Sequence, residues 1–360
     1  MMHPMALQED YPKTVSKPFI IPVFLRHQGC SHRCVFCNQH AMDTDEIPAF
    51  RPEDLRRYAT AYLAYNRENR RPVQVAFYGG TFLGMEKPRV LAYLKAAAAL
   101  IQEERVDHIR LSTRPDSITE ARLDWLSGFP VETVELGAQS MDDHVLAASG
   151  RGHLAADTVQ AVKRLKNRGY KVGLQLMVGL PEDTETGSFS SAEEAAALSP
   201  DCVRIYPTVV LKGSLLAQWY RRGEYTPWPL ETCVRHVKGL FLYFMENGIR
   251  VIRMGLQASE TLTPTHRLMA GPFHPAFGHL VRSEIFFDAL AAFLEGKKEI
   301  PDPLTLRMHP RHASKTAGQA KRNVTLLKNR FRLAEIRIRP DPSCPPETLF
   351  VGETPLRVPC

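Results

Sequence analysis

Three cysteines, Cys30, Cys34 and Cys37, stand in the spacing CxxxCxxC directly after the apolar run Phe19 to Leu25. Thiolates are the usual ligands of iron–sulfur clusters, and a four-iron four-sulfur (4Fe-4S) cluster takes four ligands. This motif supplies three sulfurs, so one iron is left open. An open iron can take the amino and carboxylate groups of a small molecule, which suits a cluster that passes an electron into its ligand. The rival is a zinc site with His40 as the fourth ligand, Cys34-x-x-Cys37-x-x-His40. Structural zinc usually draws on two short ligand pairs separated by a longer loop, and no second pair follows here.

Other residues suited to binding fall just past predicted strands. Gly79 and Gly80, followed by Thr81, let main-chain groups approach a ligand with no Cβ in the way; an ordinary tight turn would use the same residues. Ser112-Thr113-Arg114-Pro115-Asp116 offers hydroxyls for a ribose and a guanidinium for a carboxylate or phosphate; an Arg-Pro-Asp turn is otherwise common loop chemistry. Gln139, Arg151 and Gln175 are polar groups at or near strand ends. Gln175 interrupts an apolar run, so it needs a hydrogen-bonding partner, either a ligand or another core group. Arg204 and Tyr206 alternate to one face of a later strand.

Elements must bring these residues together, and the chain has a βα rhythm that can do so. Predicted strands are Phe19 to Leu25, Val73 to Tyr78, His108 to Ser112, Thr133 to Ala138, Lys171 to Met177 and Cys202 to Tyr206. Helical patterns run from Pro52 to Asn66, Pro88 to Glu103, Thr119 to Leu126, Ala155 to Asn167 and Ser188 to Leu198. Six such units predict a parallel barrel or part of one, which places its chemistry at the C-terminal ends of its strands. Ser214 to Arg222 and Leu230 to Asn247 read as further helices and Val251 to Met254 as a short apolar run. After a Thr-, Ser- and Pro-rich stretch, Leu256 to Gly271, an appendage is expected, with helices at His279 to Leu294 and Ser314 to Lys328 and strands at Leu304 to Met308 and Arg332 to Arg337. The expected divisions are an N-terminal extension (1–17), a core (18–256) and an appendage (257–360).

The 360 residues are 44 % apolar, enough for a sizeable core, and the formal net charge is +7. Basicity is concentrated between Pro301 and Pro340, where ten Lys or Arg residues face only Asp302 and Glu335. Such a patch makes RNA or DNA a candidate partner, and a solvated surface balanced by the rest of the fold is the alternative. Seven cysteines with one tight cluster point to metal ligation in a reducing compartment. With no signal-peptide pattern and no spanning run, a cytoplasmic chain without membrane contact is expected.

Taken in order, Gly79-Gly80-Thr81-Phe82, Thr113-Arg114-Pro115-Asp116, Val134-Glu135-Leu136-Gly137-Ala138-Gln139-Ser140, Arg151-Gly152-His153, Ile205-Tyr206-Pro207-Thr208 and Gly223-Glu224-Tyr225 resemble the radical S-adenosylmethionine (SAM) half of the Elongator catalytic subunit. The likeness runs from about Pro18 to Met254, and Phe36 before the last cysteine agrees with it. It implies an α/β fold, a partial (β/α)6 TIM-type barrel of the radical SAM type, here with a small C-terminal α/β appendage. It also implies an enzyme in which Cys30, Cys34 and Cys37 hold a 4Fe-4S cluster that cleaves SAM to a 5′-deoxyadenosyl radical. Gly79, Gly80 and Thr81 then lie near the SAM amino group, with Gln139, Arg151 and Gln175 around SAM and Ser112 at the ribose. Ser112 stands where relatives often carry glutamate, and Gln175 is a second departure. Expected partners are a low-potential electron donor of flavodoxin or ferredoxin type and tRNA or another RNA. A small molecule or peptide is the alternative substrate; a nucleic-acid-binding module stapled by a structural metal is the alternative of another class. The acetyltransferase domain that follows the Elongator barrel is not expected in the fewer than 100 residues after Gly271.

Overall fold

The structure is a computed structural model describing residues 18–38, 50–256, 267–346 and 348–359. The extension 1–17, His40 and most of the expected boundary stretch lie outside the described residues. Two compact units emerge: one runs through Pro227 and takes in Phe244–Arg253, and the other comprises Trp228–Tyr243 and the chain from Pro272 onward, with short flanking pieces.

In the first unit, β1 (Phe19–Phe24), β2 (Val73–Tyr78), β3 (His108–Thr113), β4 (Val131–Gln139), β5 (Lys171–Val178) and β6 (Cys202–Pro207) lie side by side in chain order, each parallel to the next. The crossovers carry α1 (Leu55–Leu63), α2 (Lys87–Gln102), α3 (Glu120–Leu123), α4 (Asp143–Ala148), α5 (Ala155–Asn167) and α6 (Glu185–Ala197). Beyond β6 come β7 (Val210–Leu211), α7 (Leu215–Arg222), α8 (Leu230–Glu246), β8 (Arg250–Met254) and β9 (Leu268–Ala270). Six strands were expected in the sheet and seven are present, because β8 extends it beside β6. The run at Val251 falls outside the βα rhythm, which hid its membership. β1 and β8 do not pair, so the curled sheet stays open and the barrel is partial.

Alternation decides which residues face inward. In β1, Phe19, Ile21 and Val23 are buried while Pro22 and Phe24 stay partly exposed. Likewise Ile109, Leu111, Val134, Leu136, Val203 and Ile205 are buried, freeing Ser112, Glu135, Arg204 and Tyr206 for the inner face. Caps set the helix starts: Asp142 accepts from the His144 N–H, Thr184 from Gly187 and Ser214 from Ala217, while Gly223 at φ 74° ends α7.

The second unit contains α9 (Phe277–Glu295), β10 (Leu304–Met308), α10 (Pro310–Ala317), α11 (Arg322–Phe331), β11 (Ile336–Pro340), β12 (Thr348–Val351) and β13 (Thr354–Arg357). Its sheet has the order β11-β10-β12-β13; β10 and β11 are parallel, the other pairs antiparallel. The single helix expected from Ser314 to Lys328 is instead two, broken where Gly318, Ala320 and Lys321 take positive φ. The strand expected from Arg332 starts at Ile336, because Arg332 at φ 55° terminates α11. Among the described residues no helix is long and apolar enough to cross a membrane.

Candidate active site

The cysteine loop leaves β1 and is bonded along its backbone to the turn after β2. Leu25 N–H donates to Tyr78 O (2.7 Å), His27 N–H to Gly79 O (3.0 Å), and Thr81 N–H returns to Gln28 O (2.9 Å). Gly79 sits at φ +89°, and a Cβ on Gly80 would lie 2.5 Å from Gln28 O and 2.6 Å from Leu25 O. Gly80 therefore admits the cysteine loop's own backbone. Gly29 and Gly84 approach each other in the same way, a pairing not drawn from the sequence. Farther along, Val35 N–H donates to Ser149 O (3.0 Å) and Leu216 N–H to Val35 O (2.8 Å), while Val35 packs with Val210, Leu216, Ala217 and Tyr225, and Phe36 joins at the margin.

Each sulfur of the trio meets a polar group. Cys30 Sγ lies 3.4 Å from Thr81 Oγ1, Cys37 Sγ lies 3.7 Å from His27 Nδ1, and Arg151 Nη1 donates to Cys34 Sγ at 3.0 Å. All three cysteines are free and partly exposed, whereas Cys202, Cys233 and Cys344 are buried. Burial, then the Cys34 and Cys30 thiols, push Cys37 up to about 12. Thiols so placed favour a cationic neighbour that stabilises thiolates, as metal ligation does. The Arg151 Nε is buried without a partner. This donor set, with an orphaned cationic N–H beside it, fits an iron–sulfur cluster and an anionic ligand. Among the described residues no three His, Cys, Asp or Glu side chains converge on a single ion; His40, the fourth ligand of the zinc reading, lies outside them. A cubane needs less convergence, since each thiolate meets a different iron.

Arg151 also donates to Gly137 O on β4. The β4–β5 register shifts between Leu136 and Gln139, and Gln139 takes φ +72°. This irregularity re-aims the Gln139 side chain, whose Oε1 accepts from Gln175 Nε2 at 3.1 Å. Arg151 thus joins Cys34 to Gly137, two residues before the Gln139–Gln175 pair, while Thr81 meets the neighbouring Cys30. Ser112 stands apart: it is half-buried, in register with Glu135, and bonded to none of them. Of the two readings of Arg114, a ligand contact or an ordinary Arg-Pro-Asp turn, the structure has the turn: Arg114 forms two bonds to Asp116 (2.9 and 3.0 Å).

Deeper on the inner face lies an ion-paired network. Glu135 Oε1 accepts from Arg110 Nη1 (2.7 Å), from Arg204 Nη2 (2.9 Å) and from the Tyr78 hydroxyl (3.1 Å). Arg204 also donates to Tyr78 (2.7 Å) and Tyr206 (3.2 Å), so the expectation that Arg204 and Tyr206 share a face holds. Burial works against the Arg204 charge, but Glu135 and the tyrosines outweigh it and the guanidinium stays charged.

Residues 25–187 match the sequence model of the radical SAM superfamily, and residues 200–286 match that of the radical SAM C-terminal domain. The chain carries a radical SAM domain. That domain is related to the Elongator catalytic subunit. The tRNA uridine(34) acetyltransferase of Dehalococcoides mccartyi is 28 % identical over 256 residues, covering 60 % of this chain and 54 % of the relative. Its counterpart in Methanocaldococcus jannaschii is 35 % identical over 135 residues, 37 % of this chain and 25 % of the relative. Elongator complex protein 3 of Saccharomyces cerevisiae is 23 % identical over 256 residues, 59 % and 46 % of the two chains. This chain therefore spans about half or less of the length of these relatives. Among solved structures, the archaeal Methanocaldococcus infernus Elp3 with an N-terminal deletion superposes with a TM-score of 0.58 at 21 % identity, covering 81 % of this chain and 71 % of that one; it shows the shared fold.

Within the radical SAM domain the ion-paired network escaped sequence reasoning except for Arg204 and Tyr206. A signal was present: Arg110, Glu135 and Arg204 each stand between two apolar neighbours on a strand, and opposite charges on separate parallel strands must find each other when buried.

Proposed function

We propose that the chain is a radical SAM enzyme acting on RNA, with tRNA the preferred class. Cys30, Cys34 and Cys37 would hold a 4Fe-4S cluster, and Gly79, Gly80, Thr81, Gln139, Arg151 and Gln175 would surround SAM, with Ser112 toward the ribose. When bound, this pair supplies a one-electron cleavage of the SAM carbon–sulfur bond that leaves a carbon radical able to take a hydrogen atom from substrate. The chain's own residues bind, orient and exclude water. Arg151 ties the Cys34 segment to β4, Gln175 steadies the bulged Gln139, and the Glu135 network fixes the inner surface below them. A flavodoxin- or ferredoxin-type donor would supply electrons, and a reducing cytoplasm would suit the free, partly exposed thiols.

The single observation that carries this reading is that Arg151 joins Cys34 to Gly137 O, two residues before the Gln139 that Gln175 bonds. That link runs from a metal-type thiol toward the polar groups that the family resemblance assigns to SAM. RNA is supported by the tRNA-acting names of the relatives and by the basic segment. Anaerobic reconstitution with iron and sulfide should give brown protein that releases 5′-deoxyadenosine from SAM. Colourless protein retaining zinc after the same treatment would end the proposal. Comparing nucleoside profiles of RNA from deletion and parent strains tests the substrate.

A further inference from the structure

The sheet of the second unit has one apolar face and one basic face. Leu304, Leu306 and Met308 are buried along β10, and Leu349 and Val351 along β12, while the alternate residues remain accessible. Helix α10 contacts β11 and packs with α9 and α11. On the other side, Arg337 and Arg339 of the edge strand β11 are exposed. Register sets Thr305 beside Arg337 and Arg307 beside Arg339, with Phe350 opposite Arg307. The Arg307 guanidinium lies over the Phe350 ring, 4.9 Å from its centre.

We propose that this sheet face docks a single-stranded segment of RNA, its phosphates on Arg337 and Arg339 and a base stacked at Phe350 beside Arg307. The proposal rests on the reading that the substrate is RNA and assigns that substrate a second contact surface, separate from the cysteine site. Charge complementarity favours it. Among the described residues Arg339 has no acidic partner; the pair of Arg337 with Glu335 (2.8 Å) is solvent-exposed, and Arg307, half-buried, is paired with Asp341 (3.4 Å) and the exposed Glu353 (3.6 Å), contacts that phosphate can replace. An aromatic ring amid arginines on a four-stranded sheet is the arrangement that accepts unpaired bases. A lipid surface fits less well, because Arg337 and Arg339, the exposed side chains of β11 on this face, are charged and do not insert.

The test is fluorescence anisotropy of the cluster-loaded full chain with a labelled single-stranded 20-nucleotide RNA and with bulk tRNA, over a salt series. Anionic phospholipid vesicles serve as the competing probe. Arg337→Ala/Arg339→Ala should weaken RNA binding about tenfold and flatten the log–log salt slope by about 1.4, as expected for two lost phosphate contacts on a single strand. Phe350→Leu, which keeps most of the buried volume, should weaken binding while leaving the slope unchanged. All variants should retain wild-type SAM cleavage without RNA. Tight wild-type RNA binding that neither variant alters overturns the sheet assignment and leaves the RNA reading intact. Wild-type protein that binds neither RNA, or only vesicles, overturns both.

Discussion

Arg151 and Cys34 are joined across 117 positions of sequence by a 3.0 Å hydrogen bond from Nη1 to Sγ. The same guanidinium reaches Gly137 O, so one side chain couples the cysteine loop to the bulged end of β4. Donors to cluster sulfurs and nearby positive charge raise reduction potentials. Arg151→Met should therefore leave iron content near wild type, make the cluster harder to reduce, and weaken SAM binding by about tenfold or more, the scale of one charge-assisted hydrogen bond. Redox titration followed by electron paramagnetic resonance, with calorimetry of SAM binding, reads both effects. Unchanged potential and affinity would remove Arg151 from the site.

Gly80 is required by the backbone that approaches it rather than by chain flexibility. A methyl group there would meet two carbonyl oxygens, at 2.5 and 2.6 Å, that belong to the segment leading into Cys30. Gly80→Ala should displace that segment, costing about 1–3 kcal/mol as overpacking does, and iron retention should fall far more than helicity. Iron and sulfide assays beside circular dichroism measure the contrast.

Glu135 is the carboxylate between Arg110 and Arg204, and its side chain is 5 % exposed. Removing one partner of a buried ion network leaves the remaining charges uncompensated, at about 3–5 kcal/mol. Glu135→Ala should reach that range in urea unfolding, while Tyr78→Phe, which removes a hydroxyl bonded to the same carboxylate, should cost about 1 kcal/mol. Equal costs for the two would show that the network does not depend on its anion.

Strand order and the cysteine trio were legible in the sequence because both are local patterns: apolar runs at βα spacing, and three thiols within eight residues. The residues that the resemblance assigns to SAM were picked out by their order along the chain, and the structure links Arg151 with the β4 end and Gln139 with Gln175 while Ser112 stands apart. What stayed hidden depends on contacts across strands. β8 lies in a short run after a long helix, so its pairing beside β6 has no local mark. The α10–α11 break rests on positive φ at Ala320 and Lys321, residues with no preference for that conformation. For Arg114 the sequence leaves a ligand contact and an Arg-Pro-Asp turn both open, because it does not show that Asp116, two residues on, closes back onto the guanidinium.

Asp183, in the loop between β5 and α6, gives a pH prediction distant from the cysteines in sequence. Burial pushes its carboxyl up to about 7 from an ordinary 3.8, against the backbone N–H groups of Gly179, Thr184 and Leu180 that favour the anion, and Asp142 adds to the rise. The folded chain thus keeps a proton that the unfolded chain releases. Between about pH 4 and 7 the native state binds more protons than the unfolded state, so this group's contribution to stability falls as pH rises and levels off above 7. Asp183→Asn can still accept the Gly179 N–H through its amide oxygen and has no proton to lose. Relative to wild type the variant should match near pH 4 and gain about 2 kcal/mol or more by pH 8, an order-of-magnitude figure below the full shift because the site is not wholly buried. Urea unfolding of both proteins at several pH values reads the difference, and parallel stability curves across the range would show that the carboxyl is already ionised in the fold at neutral pH.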